Sequence, residues 1–202
     1  SRLIMYNNSS QKFEFFDPSE EIYNSFVVDN KLYFTLKSGL YTFENGKKVL
    51  LSNDPRLLNV GQSPHIVNAF KNNDNLLLIS DNLDFFELYP TGRLIPWNIS
   101  SDFLNKETIV YSAIRLNDNG FAIGTVGQGI ILLNDKGSYI STINKSTGIN
   151  NNTVLSVFED VNSNIWLGLD NGISVINIKS PFNIFNDFKG LLGTVYASKY
   201  FK

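Results

Sequence analysis

The chain has 202 residues, of which 43% are apolar and 18% are charged, and its formal net charge at pH 7 is −2. This composition is typical of a globular protein and excludes an intrinsically disordered one. The near-neutral charge favours neither nucleic acid nor an anionic membrane surface as a partner, and no apolar run approaches the roughly 20 residues that span a bilayer.

The chain contains no cysteine and a single histidine, His65. Disulfides, thiolate metal sites and cysteine nucleophiles are therefore excluded, as is a metal site built from several histidines. A Ser-His-Asp arrangement would depend on His65 alone, and its position after Pro64 indicates a loop or strand-start residue rather than a catalytic base. We therefore predict no catalytic residue, no cofactor and no metal.

The first predicted elements are two short strands, "RLIMYN" from Arg2 to Asn7 and "KFEFF" from Lys12 to Phe16. After them, one pattern recurs four times. Each copy holds an apolar strand, a polar turn, a second apolar or aromatic strand, a tight turn and a third strand. The copies begin at Asn24, Asn68, Ser112 and Ser156, which lie 44 residues apart each time, and their tight turns fall at Gly39, Leu83, Gly129 and Gly172. Such a regular period is the signature of a repeat protein.

A fourth strand follows the first three copies, after the hairpin signals "ENGK", "YPTG" and "NDKG". Four antiparallel strands in about 44 residues are the size of a β-propeller blade. We therefore predict an all-β fold, a partial β-propeller with four complete four-stranded blades at about residues 20–63, 64–107, 108–151 and 152–192. Residues 1–19 and 193–202 are predicted to belong to broken flanking blades of a longer ring.

Several propeller families fit the sequence poorly. Repeated Gly-His and Trp-Asp dipeptides are absent, only one copy has a tryptophan near the acidic turn of a sialidase-type box, and the paired glycines of kelch repeats are missing. By contrast, "NNTVLSVFEDVNSNIWLGLDNGISVIN", from Asn151 to Asn177, resembles the two-component regulator propeller repeat. "GFAIGTVGQGIILLN", from Gly120 to Asn134, is a second and looser match.

The resemblance implies a seven-bladed ring in the periplasmic sensor of a hybrid two-component regulator of the Bacteroidetes type. It implies an oligosaccharide as ligand, a homodimeric parent protein, and a membrane helix and histidine kinase elsewhere in the parent chain. Composition shows none of this. The alternatives are a protein-interaction scaffold without a small ligand, or a propeller glycoside hydrolase or lyase.

The motif Asp160, Asn162 and Asn164 has the opening spacing of a calcium-binding loop. An EF-hand loop would need Gly and Glu where Ile165 and Asn171 stand, so we interpret the motif as a turn whose side-chain oxygens cap backbone N–H groups. We also expect Trp166 to pack between blades. The glycines Gly124, Gly129, Gly168 and Gly172 are expected to relieve strand crowding or to adopt positive φ.

A ligand is expected on the rim formed by the loops between second and third strands and the loops between blades. Trp97, in the longest loop, is predicted to be the exposed aromatic residue of a sugar site. The predicted ligand-binding residues are Lys37, Arg56, His65, Asp81, Trp97, Gln128 and Asp170, with Asn82 and Asn171 beside them on the same rim.

Overall fold

The computed structural model describes residues 3–7, 10–58, 64–99, 108–178 and 180. Their secondary structure is almost entirely β-strand, with one 3₁₀ turn at Pro55–Leu57. The first two strands, β1 (Leu3–Asn7) and β2 (Lys12–Phe16), form an antiparallel hairpin. Phe16 of this hairpin contacts the rings of Phe34 and Phe43 in the next sheet, so the hairpin packs against the first blade.

Four further antiparallel sheets follow in chain order, and we number them as blades I to IV. Blade I contains β3 (Ile22–Val28), β4 (Lys31–Leu36), β5 (Gly39–Glu44) and β6 (Lys47–Ser52). Blade II contains β7 (Ile66–Asn72), β8 (Asn75–Ser80), β9 (Phe85–Leu88) and β10 (Leu94–Pro96). Blade III contains β11 (Ile109–Arg115), β12 (Phe121–Val126), β13 (Ile130–Leu133) and β14 (Tyr139–Ile143). Blade IV contains β15 (Val154–Glu159), β16 (Asn164–Leu169) and β17 (Gly172–Asn177).

The first strands of consecutive blades, β3, β7, β11 and β15, lie next to one another and form the inner edge of the assembly. Within each blade the strands follow in sequence order outward from this edge. This side-by-side arrangement of blades around a common inner edge is that of a β-propeller, which confirms the predicted fold class. The fourth strand expected for blade IV and the strand expected at Gly193 to Phe201 lie outside the described residues.

Apolar side chains on both faces of blades II and III hold neighbouring blades together. In β8, Leu78 packs toward blade I, whereas Leu77 and Ile79 pack toward blade III. In β12, Phe121 packs toward blade II and Ala122 toward blade IV. Successive residues of a strand point to opposite faces, so a strand covered on both sides must be apolar throughout. This explains why the second strands are continuous apolar runs and not alternating ones.

The 44-residue period has a structural marker in the first strand of every blade. The strand register shifts between Ile22 and Asn24, between Ile66 and Asn68, between Val110 and Ser112, and between Val154 and Ser156. The extra residues of these four bulges are Tyr23, Val67, Tyr111 and Leu155. A bulge at the same place in each copy bends every inner strand in the same way, so the bulge is a regular part of the blade structure.

The residue after each bulge connects neighbouring strands in one of two ways. Asn24 donates from Nδ2 to the carbonyls of Ile66 and Val67, at 3.0 and 2.8 Å, and Asn68 donates to the carbonyl of Ala113 at 2.8 Å. These bonds join consecutive blades. In blades III and IV the shorter Ser112 and Ser156 stand opposite Gly124 and Gly168.

The predicted roles of the four glycines are confirmed. A Cβ on Gly124 would lie 2.5 Å from Ser112 Oγ, and one on Gly168 would lie 2.2 Å from Ser156 Oγ, so both positions relieve strand crowding. Gly129 and Gly172 adopt φ values of +87° and +91°, which side chains rarely tolerate.

The tight turn of blade III separates two effects of a glycine substitution. Gly127 and Gly129 have nearly equal φ values of +90° and +87°, but a Cβ would meet nothing within 4 Å of Gly127 and would lie 2.2 Å from the carbonyl oxygen of Ile143 at Gly129. We expect Gly127→Ala to lower the free energy of unfolding by about 1 kcal/mol through backbone strain. Gly129→Ala should cost about 1–3 kcal/mol more because of the clash. Urea unfolding of both variants measures the difference, and equal losses would contradict the clash.

Candidate functional site

The loops between second and third strands and the loops between blades lie on one rim of the propeller, which we call the upper rim. Backbone hydrogen bonds join these loops. Asp81 N–H donates to the carbonyl of His65 at 2.8 Å, and Asp170 N–H donates to the carbonyl of Thr153 at 3.1 Å. The two bonds occupy equivalent places in blades II and IV, and each ties the second turn of a blade to the entry of its first strand.

His65 and Asp81, both predicted to bind ligand, are brought together. The His65 N–H donates to Asp81 Oδ1 at 3.0 Å. The carbonyl of Asp81 also accepts the N–H of Val110 at 2.7 Å, which attaches blade III at the same point. The His65 ring stacks on the ring of Tyr23, with centroids 5.8 Å apart and planes 16° apart. Asp81 thus links the entries of blades II and III, and the His65 ring rests on Tyr23 of blade I.

Two exposed tyrosines on the inner strands are the aromatic residues that sequence reasoning missed. Tyr23 is 41% exposed and Tyr111 is 56% exposed, and both are bulge residues of first strands. Ile109, two residues before Tyr111, is 52% exposed. A tyrosine at the same repeat position in blades I and III was the available signal, since a bulged residue is left out of the regular pairing and its side chain is re-aimed.

The remaining polar residues predicted on the upper rim differ in how firmly they are held. Gln128 Oε1 accepts the hydroxyl of Thr108 at 3.1 Å, which orients its amide. Lys37, Asn82, Asp170 and Asn171 are exposed on their turns. Burial raises the pKa of Asp84, and the carboxylate of Asp81 raises it further. Asp81 and Asp84 together form an acidic patch on the upper rim beside the Tyr23–His65 stack.

Arg56 was predicted to bind ligand, but its side chain is engaged in structural contacts. Its Nε and Nη2 each donate to a carboxylate oxygen of Asp54 at 2.8 Å, and Nη2 also donates to the carbonyl of Leu94 at 2.8 Å. The guanidinium lies 5.4 Å from the ring centroid of Phe86. The Arg56 guanidinium holds the pKa of the Asp54 carboxyl below its usual range. Arg56 thus fastens the 3₁₀ turn to blade II.

The predicted exposure of Trp97 is wrong. Its ring contacts Phe85 and Phe121, with centroids 5.5 and 5.9 Å away, and it belongs to the apolar cluster between blades II and III. Gly137 makes room for it, because a Cβ there would lie 2.6 Å from Trp97 Cζ3. The backbone N–H of Trp97 also donates to the carbonyl of Phe85 at 2.8 Å. The ring is therefore partly buried against blades II and III.

The interpretation of Asp160, Asn162 and Asn164 as a capped turn is confirmed. Asp160 Oδ1 accepts the backbone N–H groups of Asn162 and Asn164 at 2.8 and 2.9 Å. Oδ2 accepts Asn164 Nδ2 at 2.9 Å and the Trp166 indole N–H at 3.0 Å. These donors, with the indole the largest contributor, lower the pKa of Asp160 to about 2. Within the described residues no three potential metal ligands are grouped together.

Trp166 is 44% exposed on the outer lateral face of blade IV, in a row with Phe158 and Val175. The equivalent side chains Leu77 and Ala122 of blades II and III are buried against the following blade. The position is therefore the one that faces a neighbouring blade. The predicted packing of the Trp166 ring between two blades is not formed among the described residues.

Solved structures resemble the chain in fold. The extracellular domain of BT4673 from B. thetaiotaomicron, described as part of a one-component system, is 22% identical with a TM-score of 0.64, over 88% of this chain and 25% of that one. A second structure describes BT4673 as a hybrid two-component system and matches with 21% identity and a TM-score of 0.61, over 85% of this chain and 24% of that one.

PorZ, a surface component of the type-IX secretion system of Porphyromonas gingivalis, is 15% identical with a TM-score of 0.63, over 84% of this chain and 28% of its own. No protein-family model matches the sequence, and no curated protein matches it. The chain spans about a quarter of the length of the BT4673 domain. In the described part, no helix has the length and apolarity to cross a membrane. At these identities the likeness shows that the chain has a β-propeller fold.

The capped turn predicts a specific acid response. The pKa of Asp160 is lowered on folding, so its contribution to stability is present above the ordinary value of 3.8 and is lost as the pH falls toward about 2. We expect Asp160→Asn to flatten the decrease in unfolding free energy between pH ~5 and ~2. Asp118→Asn is the control, because that carboxylate accepts one backbone N–H, from Gly120. Denaturant unfolding across this pH range is the measurement, and identical pH profiles for wild type and Asp160→Asn would contradict the assignment.

The inward position of Trp97 predicts a stability effect. We expect Trp97→Ala to lower the free energy of unfolding by about 3 kcal/mol, because it opens a cavity between blades II and III. Tyr111→Ala, which removes an exposed ring, should change stability by less than about 1 kcal/mol. Thermal and urea unfolding compare the two variants. Equally small losses of unfolding free energy in the two variants would contradict the packing of the Trp97 ring between blades II and III.

Proposed function

We propose that this chain is part of the ligand-sensing propeller of a periplasmic sensor in a hybrid two-component regulator. It binds an oligosaccharide at the upper rim and performs no chemistry on it. The observation that carries the proposal is a group of exposed aromatic side chains on the inner strands beside the upper rim. They are the Tyr23–His65 stack and Tyr111. The fold likeness to the extracellular domain of BT4673 supports the sensor role and the extracytoplasmic location.

The chemistry of these groups suits a saccharide. The apolar face of a pyranose ring packs on an aromatic face, while its hydroxyl groups need paired donors and acceptors. The Tyr23–His65 stack offers the flat surface, and the carboxylates of Asp81 and Asp170 and the amide of Gln128 offer acceptors and donors on the same rim. Asp81 accepts the His65 N–H and Gln128 accepts the Thr108 hydroxyl. Both side chains are therefore already oriented, and little conformational entropy is lost on binding.

Signalling follows from the way the rim connects blades. His65, Asp81 and Val110 join the entries of blades II and III through consecutive hydrogen bonds. A ligand that binds this point more tightly in one arrangement of the sensor shifts the population toward that arrangement. In the proposed system that shift, in a homodimer of the parent protein, biases a histidine kinase across the membrane.

The proposal predicts that the inner tyrosines determine glycan affinity. In a titration calorimetry screen of oligosaccharides, we expect Tyr23→Ala and Tyr111→Ala each to weaken binding of the identified ligand roughly tenfold, because stacking area is lost. Tyr139→Ala is the matched control, since Tyr139 is an exposed tyrosine on the outer strand β14 and should leave affinity unchanged.

Two outcomes would contradict the proposal. Absence of binding to any oligosaccharide by the intact protein would favour a protein-interaction scaffold. Hydrolysis or elimination of a glycan that Asp81→Asn abolishes would instead identify an enzyme. Asp81→Asn is informative here because an amide oxygen can still accept the His65 N–H, so the loop is kept while the charge is removed.

A further inference from the structure

A depression lies on the opposite rim, which we call the lower rim, where the first strands of blades I, II and III run into their turns. Its volume is about 630 Å³. The side chains that define its chemistry are Asp29, Lys71, Asn73, Arg115 and Asn119, above an apolar floor that includes Phe70. None of these residues belongs to the upper rim.

Opposite charges meet at this depression. Lys71 forms an ion pair with Asp29 across blades I and II, and both side chains are more than half exposed. Asp29 raises the pKa of Lys71 by accepting a hydrogen bond from it. Arg115 has no carboxylate partner among the described residues. The carboxylate of Asp74, in the turn after β7, also acts on the Lys71 ammonium group. Arg115 is therefore the charged residue of this depression that has no ion-pair partner in the described part of the chain.

Among the described residues, the hydrogen bonds of Arg115 leave the Nε edge of its guanidinium without an acceptor. Nη1 donates to the carbonyl of Lys71, and the group lies 5.5 Å from the ring centroid of Phe121. Nε is buried and has no hydrogen-bond partner within the described ranges. Arg56 shows how the same edge is satisfied elsewhere in the chain: its Nε and Nη2 bind the two oxygens of Asp54, each at 2.8 Å.

Two asparagines extend the polar surface. Asn73 and Asn119 occupy the tips of equivalent turns, with φ values of 54° and 70°. Both line the depression, and Asn119 N–H is used in its own turn by the carbonyl of Leu116. Their amides can donate to and accept from hydroxyl groups. A guanidinium, an ammonium group, two amides and an aromatic floor suit a small acid with a hydroxylated body.

We propose that the lower-rim depression binds a small carboxylate ligand through Arg115, with an acidic monosaccharide as its chemical class. The two carboxylate oxygens take the Nε and Nη2 edge, as Asp54 does at Arg56. Because Nε is buried, the Arg115 side chain must turn toward the depression to bind both oxygens. The charged acceptor favours this movement over the present state, in which Nη1 donates to the carbonyl of Lys71 and Nε has no acceptor among the described residues. The site is independent of the oligosaccharide site on the upper rim.

Glucuronate and glucose are the paired probes, since they differ in the carboxylate. We expect the purified protein to bind glucuronate with a dissociation constant near 1 mM, weakened by salt, and to bind glucose at least about tenfold more weakly. Arg115→Gln should weaken glucuronate binding roughly tenfold or more. Arg115→Lys should also weaken it, because an ammonium group cannot bind both oxygens in a fork. Arg93→Gln, at an exposed arginine outside the depression, is the control and should bind as wild type does.

Binding is followed by NMR titration or calorimetry, with far-UV circular dichroism to show that each variant is folded. If Arg115→Gln does not fold, Asn119→Ala serves instead and should weaken glucuronate binding about threefold or more. Equal affinity for glucose and glucuronate, or unchanged affinity in Arg115→Lys and Asn119→Ala, would overturn the proposal. Inorganic phosphate that binds as tightly as glucuronate would overturn the assignment of a carboxylate.

Discussion

The packing of blade against blade is the constraint on which the rest of this structure depends. A single four-stranded sheet has two faces, and in this chain both are apolar, as the alternating partners of Leu77, Leu78 and Ile79 show. Such a sheet is stable only when a neighbour covers each face. The contacts accumulate with every added blade, and they fix the inner strands side by side. The two rims are then the surfaces left to the loops.

This arrangement determines which side chains of the first strands reach the rims. Each first strand carries a bulge at the same repeat position, and the residue after it differs between blades. Asn24 and Asn68 use that position to bind the next blade, whereas Ser112 and Ser156 leave it to close packing against glycine. The bulge residues themselves differ between blades, and Val67 packs against the apolar cluster whereas Tyr23 and Tyr111 are exposed. Variation there places tyrosine at two of four positions and makes the upper rim a candidate binding surface.

The regular features of the fold could be predicted from the sequence, and the exposure of single side chains could not. The 44-residue period, the turns and the roles of Gly124 and Gly129 follow from local patterns that the repeat copies share. The position of Trp97 depends on Gly137, some 40 residues later in the chain, which leaves space for the ring. Arg56 is likewise engaged by Leu94 of a distant strand. Such tertiary contacts leave no pattern in the loop sequence. The ligand-binding residues were predicted from their positions in loops, and the structure therefore places only some of them close together.

Hydrogen–deuterium exchange with and without an oligosaccharide can show whether the inner edge of the upper rim binds ligand, as we propose. The amides around Tyr23, His65 and Tyr111 belong to three different blades. We expect slower exchange of the amides around all three residues when ligand is bound, and unchanged exchange in the outer strands β6, β10 and β14. Protection confined to the outer strands, or no change around any of the three residues at a saturating ligand concentration, would contradict the proposal.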